Sequence, residues 1–297
     1  MKIDQKFAIV DVFADEPLTG NPLAVVPDSD ELTDTKLRAI AKEFNLSETT
    51  FLLRPTTSAA QWRLRSFTPG GAEVGGAGHN ALGAWIWLAL AGRVHPSPDP
   101  YTQQIGDDLL ALSVTLDAAQ RVLISMEQSP PAFGAFVDDR AGLAAALGLA
   151  PDDLSAATPA QVVSTGAGHL LIEAANRDAV DRANPDSPRL KAALKAAGGE
   201  GSYLYCLDPV RPESGAVAYA RFFNPTAGIA EDPATGTAAG PLVAALIARG
   251  VLPDGTSAVI EQGHRMGRPS RIRIDAAGPS IRVVGQGLVV ADGTLHL

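Results

Sequence analysis

The chain has 297 residues, 46% hydrophobic and 19% charged, a globular composition long enough for two domains with cores of their own. Its formal net charge of -9 argues against nucleic acid or an anionic membrane as partner, and 5% aromatic content is too low for base-stacking platforms. One cysteine, Cys206, excludes an intramolecular disulfide and a thiolate metal cluster.

Phe7–Phe13 alternates as a strand, and Asn21–Val26 reads as a second, closed by Pro27-Asp28. From Leu32 to Phe44 the apolar residues Leu37, Ile40, Ala41 and Phe44 fall at helical spacing, with Thr33 as N-cap. Thr49–Leu53 and Trp62–Phe67 return to strand character before an apolar helix over Asn80–Gly92. Strands follow at Val114–Leu116 and Val122–Met126, and Pro130-Pro131 then breaks the pattern. Asp138–Leu149 and Leu190–Ala197 are helical, and strands are expected at Gln161–Val163, Leu170–Glu173, Tyr203–Leu207 and Val217–Phe223. A second apolar helix spans Thr237–Arg249, followed by strands near Ala258–Glu261, Arg271–Ile274, Ile281–Val284 and Leu288–Val290. The apolar stretches around 81–91 and 238–248 are too short to span a bilayer, and Met1–Phe7 lacks an apolar signal core. A cytoplasmic protein is the expectation.

Two distant stretches look like copies of one device. Arg65-Ser-Phe67-Thr-Pro69 precedes Gly78-His79-Asn80 and an apolar helix, and Arg221-Phe-Phe223-Asn-Pro225 precedes Ala234-Thr235-Gly236-Thr237 and another. Each is a strand, a Pro turn and a helix start. Such a start leaves first-turn N–H groups available to an anion. Many strands with one long apolar helix per half predict an α+β fold of two similar halves, each wrapping strands round a buried helix. The expected boundary lies between Met126 and Ala135, giving halves of 1–130 and 131–279, with strands near 280–297 rejoining the first.

Several motifs admit both a chemical and a structural reading. Glu48, in Asn45-Leu-Ser47-Glu48-Thr49, stands before an apolar strand, where partial desolvation suits a proton shuttle; a capping glutamate is the alternative. His79 at a helix start is either a neutral proton relay or a cap. Gly76-Ala-Gly78-His79-Asn80-Ala81 matches the dinucleotide pattern formally, but no strand leads directly into it and no acidic residue follows at the needed distance. Glu231-Asp232 before Thr235-Gly236-Thr237 looks like an acid/base group beside a carboxylate pocket, although an acidic residue there also caps a helix. No histidine pair has metal-ligand spacing, and no Gly-x-Ser-x-Gly elbow occurs. Glu261–Ser270 reads as a bulged structural hairpin.

With these pieces together, the chain resembles the PhzF-type isomerase family, named for phenazine biosynthesis. The matching stretches are Asp11-Val-Phe13, Gly20–Val26, Asn45–Thr49, Phe67-Thr-Pro69, Gly78-His79, Gly228–Ala238 and Gln262–Ser270, in family order. The resemblance implies a diaminopimelate-epimerase-like fold with the site between the halves, a homodimer and no cofactor or metal. It makes Glu48 the acid/base, with His79 and Asp232 as its catalytic companions. It places Gly78 and Thr237 in the family's site, and the anion-binding helix starts read above add Asn80, Thr235 and Gly236 as further contacts of a small carboxylated substrate. The best-defined implied activity is that of trans-2,3-dihydro-3-hydroxyanthranilate isomerase. Asn80 stands where Pro or Ala is usual, and Thr237 replaces Ser. Two-thiol racemisation needs a cysteine in each half, so the lone Cys206 excludes it. A cofactor-free epimerase acting at one stereocentre and a non-catalytic carboxylate binder remain as alternatives.

Overall fold

The computed structural model describes residues 4–297. In chain order the first elements are β1 (Asp4–Val12), β2 (Asn21–Val26), α1 (Asp34–Phe44), β3 (Thr49–Leu53), β4 (Trp62–Phe67), β5 (Glu73–Val74) and α2 (His79–Leu90). They continue with β6 (Tyr101–Ile105), β7 (Asp108–Leu116), β8 (Val122–Gln128), β9 (Ala132–Val137), α3 (Arg140–Ala146), β10 (Ala160–Ser164) and β11 (Gly168–Glu173). Then come α4 (Arg177–Arg182), α5 (Ser187–Ala197), β12 (Gly201–Cys206), β13 (Ala216–Asn224), β14 (Ile229–Asp232) and α6 (Gly236–Ala248). The last four strands are β15 (Ser257–Gln262), β16 (Ser270–Ala277), β17 (Ser280–Gly285) and β18 (Gly287–His296). The class is α+β, as the strand-rich pattern predicts. No helix among the described residues is long and apolar enough to cross a membrane.

The chain forms two compact units, one of residues up to Glu127 with Val284–Leu297, the other Gln128–Val283. In the first, β1 lies antiparallel to β18 and β2, β2 runs parallel to β3 across the α1 crossover, and β3 is antiparallel to β4. β4 then pairs antiparallel with β5 and parallel with β6 across α2, and β6 turns back into β7. The second unit repeats this order. β10 lies antiparallel to β9 and β11, β11 runs parallel to β12, β12 antiparallel to β13, β13 antiparallel to β14 and parallel to β15 across α6, and β15 antiparallel to β16.

The repeat extends to side chains. Arg65 on β4 grips Glu73 on β5 through two hydrogen bonds of 2.7 and 2.8 Å, and its guanidinium lies 5.1 Å from the centre of the Phe67 ring. Arg221 on β13 grips Glu231 on β14 with two bonds of 2.8 Å and lies 4.9 Å from the Phe223 ring. Each arginine also ties its sheet to the crossover helix, Arg65 to Asp34 at the start of α1 and Arg221 to the carbonyls of Val180, Asp181 and Ala183 at the end of α4. These planar forks hold one hairpin geometry in each unit.

α2 and α6 are apolar on nearly every face and almost wholly buried, which is the pattern of a helix enclosed by sheet. The fifth residue of each is glycine, for the same reason. A Cβ on Gly83 would lie 2.6 Å from Leu23 and 2.7 Å from Val12, and one on Gly240 would meet the Gln128 amide oxygen at 1.8 Å. α1 is amphipathic instead. It buries Leu37, Ile40 and Ala41 among Val26, Phe51 and Phe67, starts on the predicted Thr33 cap and ends at Asn45 in the left-handed conformation.

Candidate active site

Glu48 sits three residues beyond Asn45, a residue type that tolerates the left-handed turn closing α1. That turn places it immediately before β3, with its side chain 16% exposed. His79 opens α2 with Gly78 as N-cap and is 9% exposed. Its Nδ1 lies 3.7 Å from Glu48 Oε2, close enough for electrostatic contact but too long for a hydrogen bond. Burial therefore decides the imidazole's charge and lowers its pKa to about 4, leaving it neutral near pH 7. Its Nε2 is buried without a hydrogen-bond partner.

Asn80 builds the turn that presents His79. Its Oδ1 accepts from the Gly78 N–H at 2.7 Å, and its Nδ2 donates to Ser66 Oγ and the Gly76 carbonyl, both at 3.0 Å. The N–H groups of His79, Asn80 and Ala81 begin the helix and have no carbonyl one turn back.

In the second unit, Asp232 ends β14, is 6% exposed and accepts the Thr235 hydroxyl at 2.6 Å. Gln262 at the end of β15 organises this corner. Its amide nitrogen donates to the Asp232 carbonyl and the Thr235 hydroxyl, and its oxygen accepts from the Thr235 N–H and the Tyr203 hydroxyl. Burial and the nearby Asp232 charge both raise the Tyr203 pKa, so the phenol stays a donor. α6 then begins with Gly236 and Thr237. The Ala238 and Ala239 N–H groups turn back to the Thr235 carbonyl, so Gly236 and Thr237 carry the first-turn N–H groups with no helical acceptor.

The acidic pair expected to act together divides its work. Asp232 keeps the buried corner, whereas Glu231 is the partner of Arg221, the counterpart of Glu73. Gln262 was missed because its local sequence reads as a hairpin. Only the parallel pairing of β13 with β15 carries it to Asp232.

The strand registers also show what the second unit lacks. Thr49 faces Phe67 and Ser202 faces Phe223, so Gly201 takes the place of Glu48. No side chain fits there, since a Cβ on Gly201 would lie 2.6 Å from the Phe222 ring. Cys206 lies within β12, 2% exposed, with its thiol pushed up to about 11 by burial. A duplicated frame thus carries the glutamate before its second crossover strand in one unit only. Among the described residues no group of three or more His, Cys, Asp or Glu could hold a metal ion.

The phenazine biosynthesis-like protein family, PhzC-PhzF, matches residues 10–293. The chain belongs to this family. It is 36% identical to an uncharacterised isomerase of Mesorhizobium japonicum, over 99% of both chains. It is 32% identical to the trans-2,3-dihydro-3-hydroxyanthranilate isomerase of Pseudomonas aeruginosa, over 98% of this chain and 99% of that one. The crystal structure of a PhzF-family phenazine biosynthesis protein from Bacillus anthracis is similar at a TM-score of 0.91 and 25% identity, covering 99% of this chain and all of the other. This PhzF-type protein is an isomerase, as its relatives are named.

Proposed function

We propose that this PhzF-type isomerase moves a proton along a small conjugated carboxylate, with no cofactor, as in the reaction for which the Pseudomonas aeruginosa relative is named. Glu48 removes a proton from a C–H bond, the freed electron pair shifts the double bond along the conjugated system, and the proton returns at a distal carbon. His79, buried and neutral, donates to or accepts from a polar substrate group without adding charge. Asp232, held by Thr235 and Gln262, positions an amine or hydroxyl of the substrate. The N–H groups of Gly236 and Thr237 and the Thr237 hydroxyl grip the carboxylate. In this proposal Asn80 and Thr235 hold the corners in shape, while Gly78 serves as the hinge of the helix start.

The observation that carries the reading is the asymmetry of the duplicated frame, with Glu48 in one unit and Gly201 in its place in the other. One shuttle carboxylate suits removal and return of a proton on a single face, whereas inversion of a stereocentre calls for a group on each face. The test is incubation with trans-2,3-dihydro-3-hydroxyanthranilate in D₂O, followed by NMR. The expected outcome is double-bond migration, with deuterium entering the distal carbon only to the extent that the proton held by Glu48 exchanges with solvent before its return. Exchange at one carbon without migration would favour an epimerase, and absence of both migration and exchange a binding protein. Glu48→Gln is expected to lower turnover by at least about 100-fold while ligand affinity changes little.

A further inference from the structure

His169 has no part in the chemistry above, yet it is among the most enclosed polar side chains of its unit, 3% exposed on β11. Its Nε2 lies 3.3 Å from Thr237 Oγ1, its ring packs edge-on against Phe222 at 5.0 Å, and its Nδ1 is buried without a partner. Among the described residues the first unit has no such pair. By strand register Leu23 takes the place of His169, and by helix position Asn80 takes that of Thr237, with its amide committed to the turn.

The hydroxyl has one proton, so the imidazole tautomer decides what it can do. With the imidazole proton on Nδ1, a buried N–H is left unpaired and Nε2 takes the hydroxyl proton away from any ligand. With the proton on Nε2, the unpaired atom is a lone pair, the cheaper orphan. The Thr237 oxygen then accepts from the ring, and its own proton is free to point elsewhere. We propose that His169 is a positioning residue, donating from Nε2 to the Thr237 hydroxyl so that the hydroxyl proton is directed at a ligand carboxylate at the start of α6. The inference rests on the carboxylate grip proposed for Gly236 and Thr237. It adds that the grip is polarised by a histidine remaining neutral, since burial holds its pKa at about 4.

Long-range ¹H–¹⁵N NMR of the full chain with ¹⁵N-labelled histidine reads the tautomer without any ligand. The Nε2–H form is expected at pH 7, with its Nε2 resonance moving in Thr237→Val; an Nδ1–H form overturns the proposal. Calorimetry with anthranilate as the probe carboxylate supplies the second arm. His169→Leu is expected to weaken binding about 10-fold, and His169→Gln, which keeps a donor, to weaken it less. In a Thr237→Val background the added loss from His169→Leu should fall below about twofold. Equal losses in the two backgrounds would overturn the positioning role. Should Thr237→Val bind anthranilate as tightly as the parent, or the parent not bind it, the carboxylate-grip reading fails, and the tautomer result still reports on His169 by itself.

Discussion

His79 and His169 are enclosed so fully that water cannot support a charge on either ring, and each pKa is lowered to about 4. Unfolding returns both to about 6.5, so the unfolded chain binds protons first as pH falls. The stability each contributes is complete above about pH 6.5 and is lost as pH drops toward 4. By pH 5 the loss is about 2 kcal/mol per histidine, and half-buried His264 shifts in the same direction. The urea midpoint is therefore expected to fall steadily from pH 7 to pH 5. A flat profile would contradict neutral, buried imidazoles. Thr235 poses a related question, because its hydroxyl is a hydrogen bond to a carboxylate only 6% exposed. Thr235→Val is expected to destabilise the protein by about 1.5–3 kcal/mol, read by thermal melts, and to lower kcat more than it raises KM.

Among the elements, each of the two buried helices has a glycine where a Cβ would overlap a neighbouring side chain unless that side chain moved. Gly83→Ala would press a methyl group into Leu23 and Val12, and a cost of about 1–3 kcal/mol is expected despite alanine's better helix propensity. Gly240→Ala would instead displace Gln128, whose amide holds the Gly236 carbonyl at the start of α6. That variant is expected to weaken anthranilate binding as well as stability. The repeated arginine clamps differ in burial. Arg221 is 8% exposed and Arg65 15%, and Arg65 has Asp34 as a second partner. Glu231→Gln should therefore cost more than Glu73→Gln, about 3 kcal/mol against 1 or less, since it leaves a buried guanidinium uncompensated. Similar losses in chemical denaturation would show that burial does not separate the clamps.

On the scale of the whole molecule, one pairing order serves twice, and the copies diverge at positions to which the proposals above assign chemistry. Glu48 against Gly201, Leu23 against His169, and Asn80 against Thr237 occupy equivalent positions of the repeat. Two properties carried by the family resemblance belong to the proposal at this scale. Prolonged EDTA dialysis is expected to leave turnover unchanged, and loss restored by a divalent metal would refute a cofactor-free mechanism. Sedimentation velocity is expected to give about twice the 30.7 kDa chain mass, as a homodimer requires.

Local sequence determined a good deal. The Thr33 cap, the strands Asn21–Val26, Thr49–Leu53 and Trp62–Phe67, and the two apolar helices all follow from short-range spacing, and the repeated Arg-x-Phe-x-Pro device exposed the duplication. Other elements were illegible for stated reasons. β6 and β9 each follow a proline-rich stretch, and β9 is exposed along most of its length, so neither shows the burial alternation that marks a strand. The chain alone could nominate Glu48, His79 and Asp232, because their types and neighbours carry chemistry. Which polar groups serve them was set by pairing between segments far apart in sequence. Gln262 reaches Asp232 across 30 residues through strand register, and His169 reaches Thr237 across 68 through the packing of α6 on β11; no local window contains either.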